Sequence, residues 1–228
     1  MPATAASHSA HLASTTSSTG SFAQTGYIVV DVKYHLASEH PFPAAFDEIE
    51  DVVNAAGNLA LAMASSSRLF STAKVKEESP FHVVVAFYLP TDLSQPTTAK
   101  KQVVKSKIFD SKGISFFSQF CHLCYRNPRE IDTRDPRISL SYADLGRFPK
   151  NLLIITTEQD PIEGEKLAEE VRMVEGHSVV CHRKKGCMHG WDKEAKRGST
   201  EWKAKEGAYG YAADMLRIRE SSCGPETK

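Results

Sequence analysis

Surplus charge is the first thing this chain lacks: 28 Lys and Arg stand against 28 Asp and Glu in 228 residues. That balance gives no electrostatic footprint for nucleic acid or an anionic membrane surface. The local clusters Lys100-Lys101, Lys105, Lys107 and Arg183-Lys184-Lys185 read as solvated faces. Cysteine is scarce and odd in number, five in all, which argues against a disulfide framework and for free thiols in a reducing compartment, the cytoplasm. No Lys or Arg precedes Lys33, so the Ser-, Thr- and Ala-rich opening has neither the basic start of a secretory signal nor the arginines of a transit peptide. No apolar run approaches the length of a membrane span. At 41% hydrophobic residues the chain has enough apolar material for one domain, or a domain with a cap.

What is present is organised around residues 151 to 192. Asn151-Leu-Leu-Ile-Ile-Thr-Thr157 is a continuous apolar and β-branched run, the pattern of a strand buried on both faces of a parallel sheet. Asp160-Pro161 with Glu163 and Glu165 predicts a helix start, Asp160 supplying the N-cap and Pro161 the first turn. Leu167, Val171 and Val174 line one face, and Gly176 marks the stop. A second strand is expected over His177 to Lys184, followed by the loop Gly186-Cys-Met-His-Gly-Trp191. In open parallel sheets functional groups collect at the carboxyl ends of strands, so Asp160 and His189 are expected at one edge. An acid that orients a histidine base is two thirds of a nucleophilic triad. The competing reading makes Asp160 only a helix cap and His189 only a polar loop residue.

The rest of the chain supplies further elements. Tyr27 to Tyr34 and Phe81 to Tyr88 read as strands. Ala44 to Val53 and Leu59 to Ala64 read as helical, and a tail helix from Thr200 to Arg219 places Trp202, Tyr209, Ala213 and Leu216 on one face. Gly207 and Gly210 each cost that helix roughly 1 kcal/mol relative to Ala, so it needs docking. The expected organisation is a disordered tail over 1–24, a domain over 25–220 with an irregular, cap-like region at 93–149, and a disordered tail over 221–228.

Three separated stretches resemble the α/β-hydrolase fold-3 family, the hormone-sensitive-lipase-like esterases. They are Tyr34-His-Leu-Ala-Ser-Glu-His-Pro-Phe-Pro-Ala-Ala45, Gly57-Asn-Leu-Ala-Leu-Ala62, and the pair Glu158-Gln-Asp-Pro161 and Met188-His-Gly-Trp191. Phe87-Tyr-Leu-Pro-Thr-Asp92 adds to the match. The resemblance implies a mostly parallel sheet flanked by helices. It also implies carboxylic-ester hydrolysis through an acyl-enzyme, Asp160 as the acid, His189 as the base, a small ester-like ligand, and neither cofactor nor metal.

Two parts of that machinery are missing from the sequence. The family's elbow reads Gly-x-Ser-x-Gly; here the only glycines four positions apart are Gly186 and Gly190, with Met188 between them. Laid on the family's pattern, Asn54-Ala-Ala-Gly-Asn58 puts Asn54 at the nucleophile position, and an amide is no nucleophile for acyl transfer. The oxyanion run His-Gly-Gly-Gly has no counterpart, since no two glycines are adjacent. Only Asp47 to Val53 separates the proline loop's helix from Asn54, too few residues for a helix and a strand. The expected sheet is therefore incomplete, without the early strands and the nucleophile strand, and the chain reads as a shortened esterase with impaired turnover. A non-catalytic ligand- or protein-binding relative, and a truncated product without independent function, are the alternatives.

Three other chemistries have partial signals in the sequence. Cys121-His-Leu-Cys124 has a zinc-like spacing and Cys181, His182, Cys187 and His189 form a second cluster. The two lie far apart, and the second straddles a strand whose alternate residues face opposite ways. Cys187 as a thiol nucleophile stands too near His189 in one loop for attack geometry. Ser65-Ser-Ser67 lies past a helix start rather than on a strand-to-helix turn.

Overall fold

The computed structural model describes residues 39–40, 42–44, 61–62, 81, 83–95, 131–158, 160 and 162–220. The expected strand at Tyr27 to Tyr34, the run Asn54 to Asn58, Ser65 to Ser67, Cys121, Cys124 and both expected tails lie outside those residues.

Strands β1 (Val83–Phe87), β2 (Asn151–Thr157) and β3 (Ser178–Lys184) form a parallel sheet in the order β1-β2-β3. Val83 pairs with Asn151 and Phe87 with Ile155; Asn151 in turn pairs with Ser178 and Thr157 with Lys184. Every residue of β2 after Asn151 is buried, because helices cover both faces of a central parallel strand.

Helix α1 (Glu163–Arg172) makes the crossover from β2 to β3. Its first turn carries Glu163 and Glu165 and its last Arg172, charges that suit the two ends of the helix dipole. Gly164, Leu167, Ala168 and Val171 are the buried stripe, while Val174 lies beyond the helix end. They pack with Val84, Ala86, Leu152, Ile154 and Val179 from one face of the sheet, and with Leu61, Ala62, Leu140 and Phe148. The other face is covered by α2 (Trp191–Glu194) and α3 (Thr200–Glu220), where Leu153 and Ile155 meet Cys187, Trp191, Ala208 and Ala212. The tail helix is thus docked, with Gly207 on its exposed side.

The described part of the 93–149 region consists of turns and two single 3-10 turns, Leu140–Tyr142 and Leu145–Arg147. Ser139 ties its two described stretches together: its hydroxyl accepts from the Leu93 N–H at 2.8 Å and donates to the Thr133 carbonyl at 2.7 Å.

Two sequence expectations need correction. Helix α1 does not begin on Asp160-Pro161; it begins at Glu163 after Ile162, which provides no side-chain cap. The Asp160 carboxylate is engaged elsewhere, as described below. Nor is Arg183-Lys184-Lys185 a solvated face: Arg183 pairs with Glu165 and donates to the Thr157 carbonyl at 2.7 Å, and the Lys184 ammonium lies 4.8 Å from the centre of the Tyr211 ring. Only Lys185 of the three is exposed.

Candidate active site

The carboxyl end of β2 runs into Glu158 and Asp160, and the carboxyl end of β3 into the loop carrying His189. Because β2 and β3 are adjacent and parallel, the two loops emerge at the same edge. Asp160 is folded back on its own strand. Its Oδ2 accepts the Thr157 N–H at 2.7 Å, and the Asp160 N–H in turn lies 3.2 Å from Thr157 Oγ1. Oδ1 is left for His189, whose Nδ1 stands 2.7 Å away.

The pair is asymmetric in exposure: the Asp160 side chain is 8% exposed and that of His189 67%. Burial pushes the Asp160 carboxyl up, but the hydrogen bond and charge of His189 and the hydrogen bonds of Thr157 outweigh it and hold the group below the ordinary aspartate value. An ionised carboxylate only accepts, so the proton between them belongs to Nδ1 and Nε2 faces away from Asp160. An imidazole oriented in this way is a base for an O–H group brought to Nε2.

The loop is held on both sides of the histidine. Gly186 N–H donates to Glu158 Oε2 at 2.7 Å, and Trp191 N–H to the Met188 carbonyl at 3.1 Å. Gly190 has φ +75°, the left-handed region where a side chain is strained. Beyond it, Asp192 is buried and receives the hydroxyls of Tyr88 and Tyr209, the latter at 2.8 Å. The Tyr88 ring lies against the His189 ring with centroids 4.9 Å apart.

The structure brings Asp160 and His189 together and leaves Asn54 outside the described residues. The second cysteine and histidine cluster does not converge. Cys181 packs with the α1 side of the sheet, His182 stacks on Tyr211 at 4.0 Å on the α3 side, and Cys187 is buried beneath α3. Among the described residues no group of three or more His, Cys, Asp or Glu side chains could hold a metal ion. Burial raises the Cys187 thiol above its ordinary value and, with Glu165, pushes Cys181 up to about 11, which disarms both as nucleophiles at neutral pH.

Tyr88, Asp192 and Tyr209 were not legible as site residues. The one local signal was an acid three positions after the histidine. No helix among the described residues is long and apolar enough to cross a membrane.

Comparison with known proteins places this geometry among relatives. A family model described as alpha/beta hydrolase fold matches residues 6–58 and 53–193, two segments that overlap at 53–58, the stretch that contains Asn54. The chain is similar to an esterase of Pyrobaculum calidifontis, with 24% identity and a TM-score of 0.63 over 88% of this chain and 69% of that one. It is also similar to carboxyl esterase 2 of the mycorrhizal fungus Tuber melanosporum, with 16% identity and a TM-score of 0.63 over 88% and 69%. EstE5-PMSF matches at 18% identity and a TM-score of 0.62 over 88% and 70%. At these identities the likeness shows the fold. No curated protein matches the chain.

Proposed function

The chain belongs to the alpha/beta hydrolase fold family, and on that premise we propose that it keeps the acid and base of a carboxylic-ester hydrolase, Asp160 and His189, with little or no ester turnover of its own. The carrying observation is a conjunction: the 2.7 Å contact between Asp160 and His189 occurs in a chain without a Gly-x-Ser-x-Gly sequence. In an ester hydrolase the base takes the proton of a serine hydroxyl as that oxygen attacks the acyl carbon, and the acid holds the imidazole in the tautomer that accepts it. Here His189 and Asp160 would fill those two roles. With Asn54 at the nucleophile position, the amide nitrogen's lone pair is delocalised and no acyl-enzyme forms. Loss of the nucleophile costs on the order of 10⁶ in turnover. Each absent oxyanion donor costs roughly 10² to 10³ more where it acts independently.

Two further observations support the reading. The family match breaks into two segments at 53–58, the place where the sequence is too short for the strand that leads into the elbow. The thiols of Cys181 and Cys187 are raised rather than activated, so neither substitutes for the missing oxygen. What remains suits a small ester-like ligand held near His189 without being cleaved.

The test is intact-mass analysis of the purified chain after exposure to a serine-reactive fluorophosphonate, with a thermal melt of the same sample. The expected result is a cooperative melt and no adduct. An adduct on the parent chain that is lost in His189→Ala would overturn the reading, because it would reveal a serine activated by that histidine.

A further inference from the structure

His189 is held by a second set of contacts that does not pass through Asp160. With its side chain 67% exposed, the imidazole has little packing to fix the plane of its ring, and one hydrogen bond at Nδ1 leaves rotation about that bond open. The wall that opposes this rotation is the ring of Tyr88, inclined at 49° to the imidazole and set edge-on to Trp191, with centroids 5.3 Å apart.

Tyr88 reaches that place at a cost. It follows the last residue of β1 and continues the ladder, its N–H donating to the Ile155 carbonyl at 3.0 Å, yet its φ is +55°. Among the described residues no other non-glycine has positive φ. For a bulky side chain this conformation is strained, and it persists only where neighbouring groups over-determine it. The neighbour that does so is Asp192. Its side chain is 1% exposed, its Oδ1 accepts the Tyr88 hydroxyl and its Oδ2 the Tyr209 hydroxyl, while its backbone carbonyl accepts from Lys205 Nζ at 2.8 Å. The Lys193 ammonium is 3.7 Å from Oδ2. The carboxylate thus ties the end of β1, the histidine loop and α3 at one point. Docking of α3 already has an apolar basis in Ala208, Ala212 and Trp191. A buried carboxylate needs donors, and here one of the donors carries the ring that faces His189.

We propose that Asp192, acting through Tyr88, is a positioning residue for His189: it holds the phenol ring against the imidazole and so fixes the ring plane in which Nδ1 meets Asp160. The inference rests on the reading of Asp160 and His189 as the retained acid and base. It adds that the base has two supports, one through its nitrogen and one through its face.

The experiment reads the tautomer of His189 directly, from the Nδ1 and Nε2 nitrogen shifts of the full chain carrying ¹⁵N-labelled histidine, recorded at alkaline pH with a melt of each variant. The parent is expected to show mainly the Nδ1–H form. Tyr88→Phe keeps the ring and its volume but breaks the tie to Asp192, and Asp192→Asn removes the charge that holds both phenols. Both are expected to lower the ratio of Nδ1–H to Nε2–H by about tenfold, the equilibrium weight of one charge-assisted hydrogen bond. Should Asp192→Asn fail to fold, Tyr88→Phe decides alone. A folded Tyr88→Phe chain with the parent's ratio overturns the inference, since a merely structural network would leave that ratio untouched. Asp160→Asn separates the two readings: if it also leaves the ratio unchanged, the pairing of acid and base itself is wrong; if it shifts the ratio while Tyr88→Phe does not, only the role of Asp192 falls.

Discussion

Asp160 and Asp192 are both buried carboxylates at the same edge of the sheet, and both reach the loop of His189, yet their partners differ in kind. Asp160 faces an imidazole that is mostly in solvent, and its other oxygen is anchored on the Thr157 backbone. Asp192 faces two phenols inside the protein. Imidazole is the side chain whose proton moves near neutral pH, whereas a phenol normally keeps its proton some three units higher. Burial, and then the hydrogen bond and charge of Asp192, push the Tyr88 phenol further up still. One carboxylate therefore meets a ring that stands mostly in solvent, and the other a phenol that burial and the carboxylate itself keep protonated.

The comparison is broken most directly by removing Asp192. Asp192→Ala leaves the Tyr88 and Tyr209 hydroxyls without their acceptor in a network that joins β1, α2 and α3, and should cost about 2–4 kcal/mol. Urea denaturation at neutral pH measures it, and a loss below 1 kcal/mol would mean that water substitutes for the carboxylate and that the two acids are less different than their surroundings suggest.

Asp160→Ala comes next, at about 1–3 kcal/mol, because the buried Thr157 N–H loses its acceptor while the exposed imidazole turns to water. Its pH dependence sharpens the contrast. The folded Asp160 carboxyl is held below its ordinary value, so its charge contributes stability above the unfolded pKa and loses that contribution as pH falls through the folded one. The stability gap between parent and Asp160→Asn should therefore narrow below about pH 4. A gap that stays constant from pH 7 to about pH 3 would show that the aspartate is not held ionised by its partners.

Local pattern carried the fold far and the site only partway. Strand β2 was legible in full, Asn151 to Thr157, because a continuous β-branched run between a lysine and an acidic turn has few other uses. The tail helix began and ended within a residue of expectation once its apolar face was counted. The meeting of Asp160 and His189 followed from topology, since each lies just past the end of one of two neighbouring parallel strands. What local pattern missed was what the Asp160 side chain does. An aspartate before a proline and two glutamates has the same spelling whether its oxygens cap the helix or fold back onto Thr157, and the histidine 29 residues away settles the choice. Asp192 was invisible for the same reason at longer range, because its partners lie 104 and 17 residues off and no helical or strand period links them.

The smallest effect belongs to the proposed base. His189→Ala removes a side chain that is 67% exposed, and Asp160, relieved of it, still holds the Thr157 N–H. The change in stability should stay within about 0.5 kcal/mol, the range of surface substitutions. The thermal melt of His189→Ala beside that of Asp192→Ala measures the difference between a group that is braced and a group that braces. If His189→Ala lowers stability by more than about 1 kcal/mol, well outside that surface range, the imidazole is itself a structural member of the loop. The distinction between an exposed partner that is held and a more buried one that holds would then no longer separate the two carboxylates.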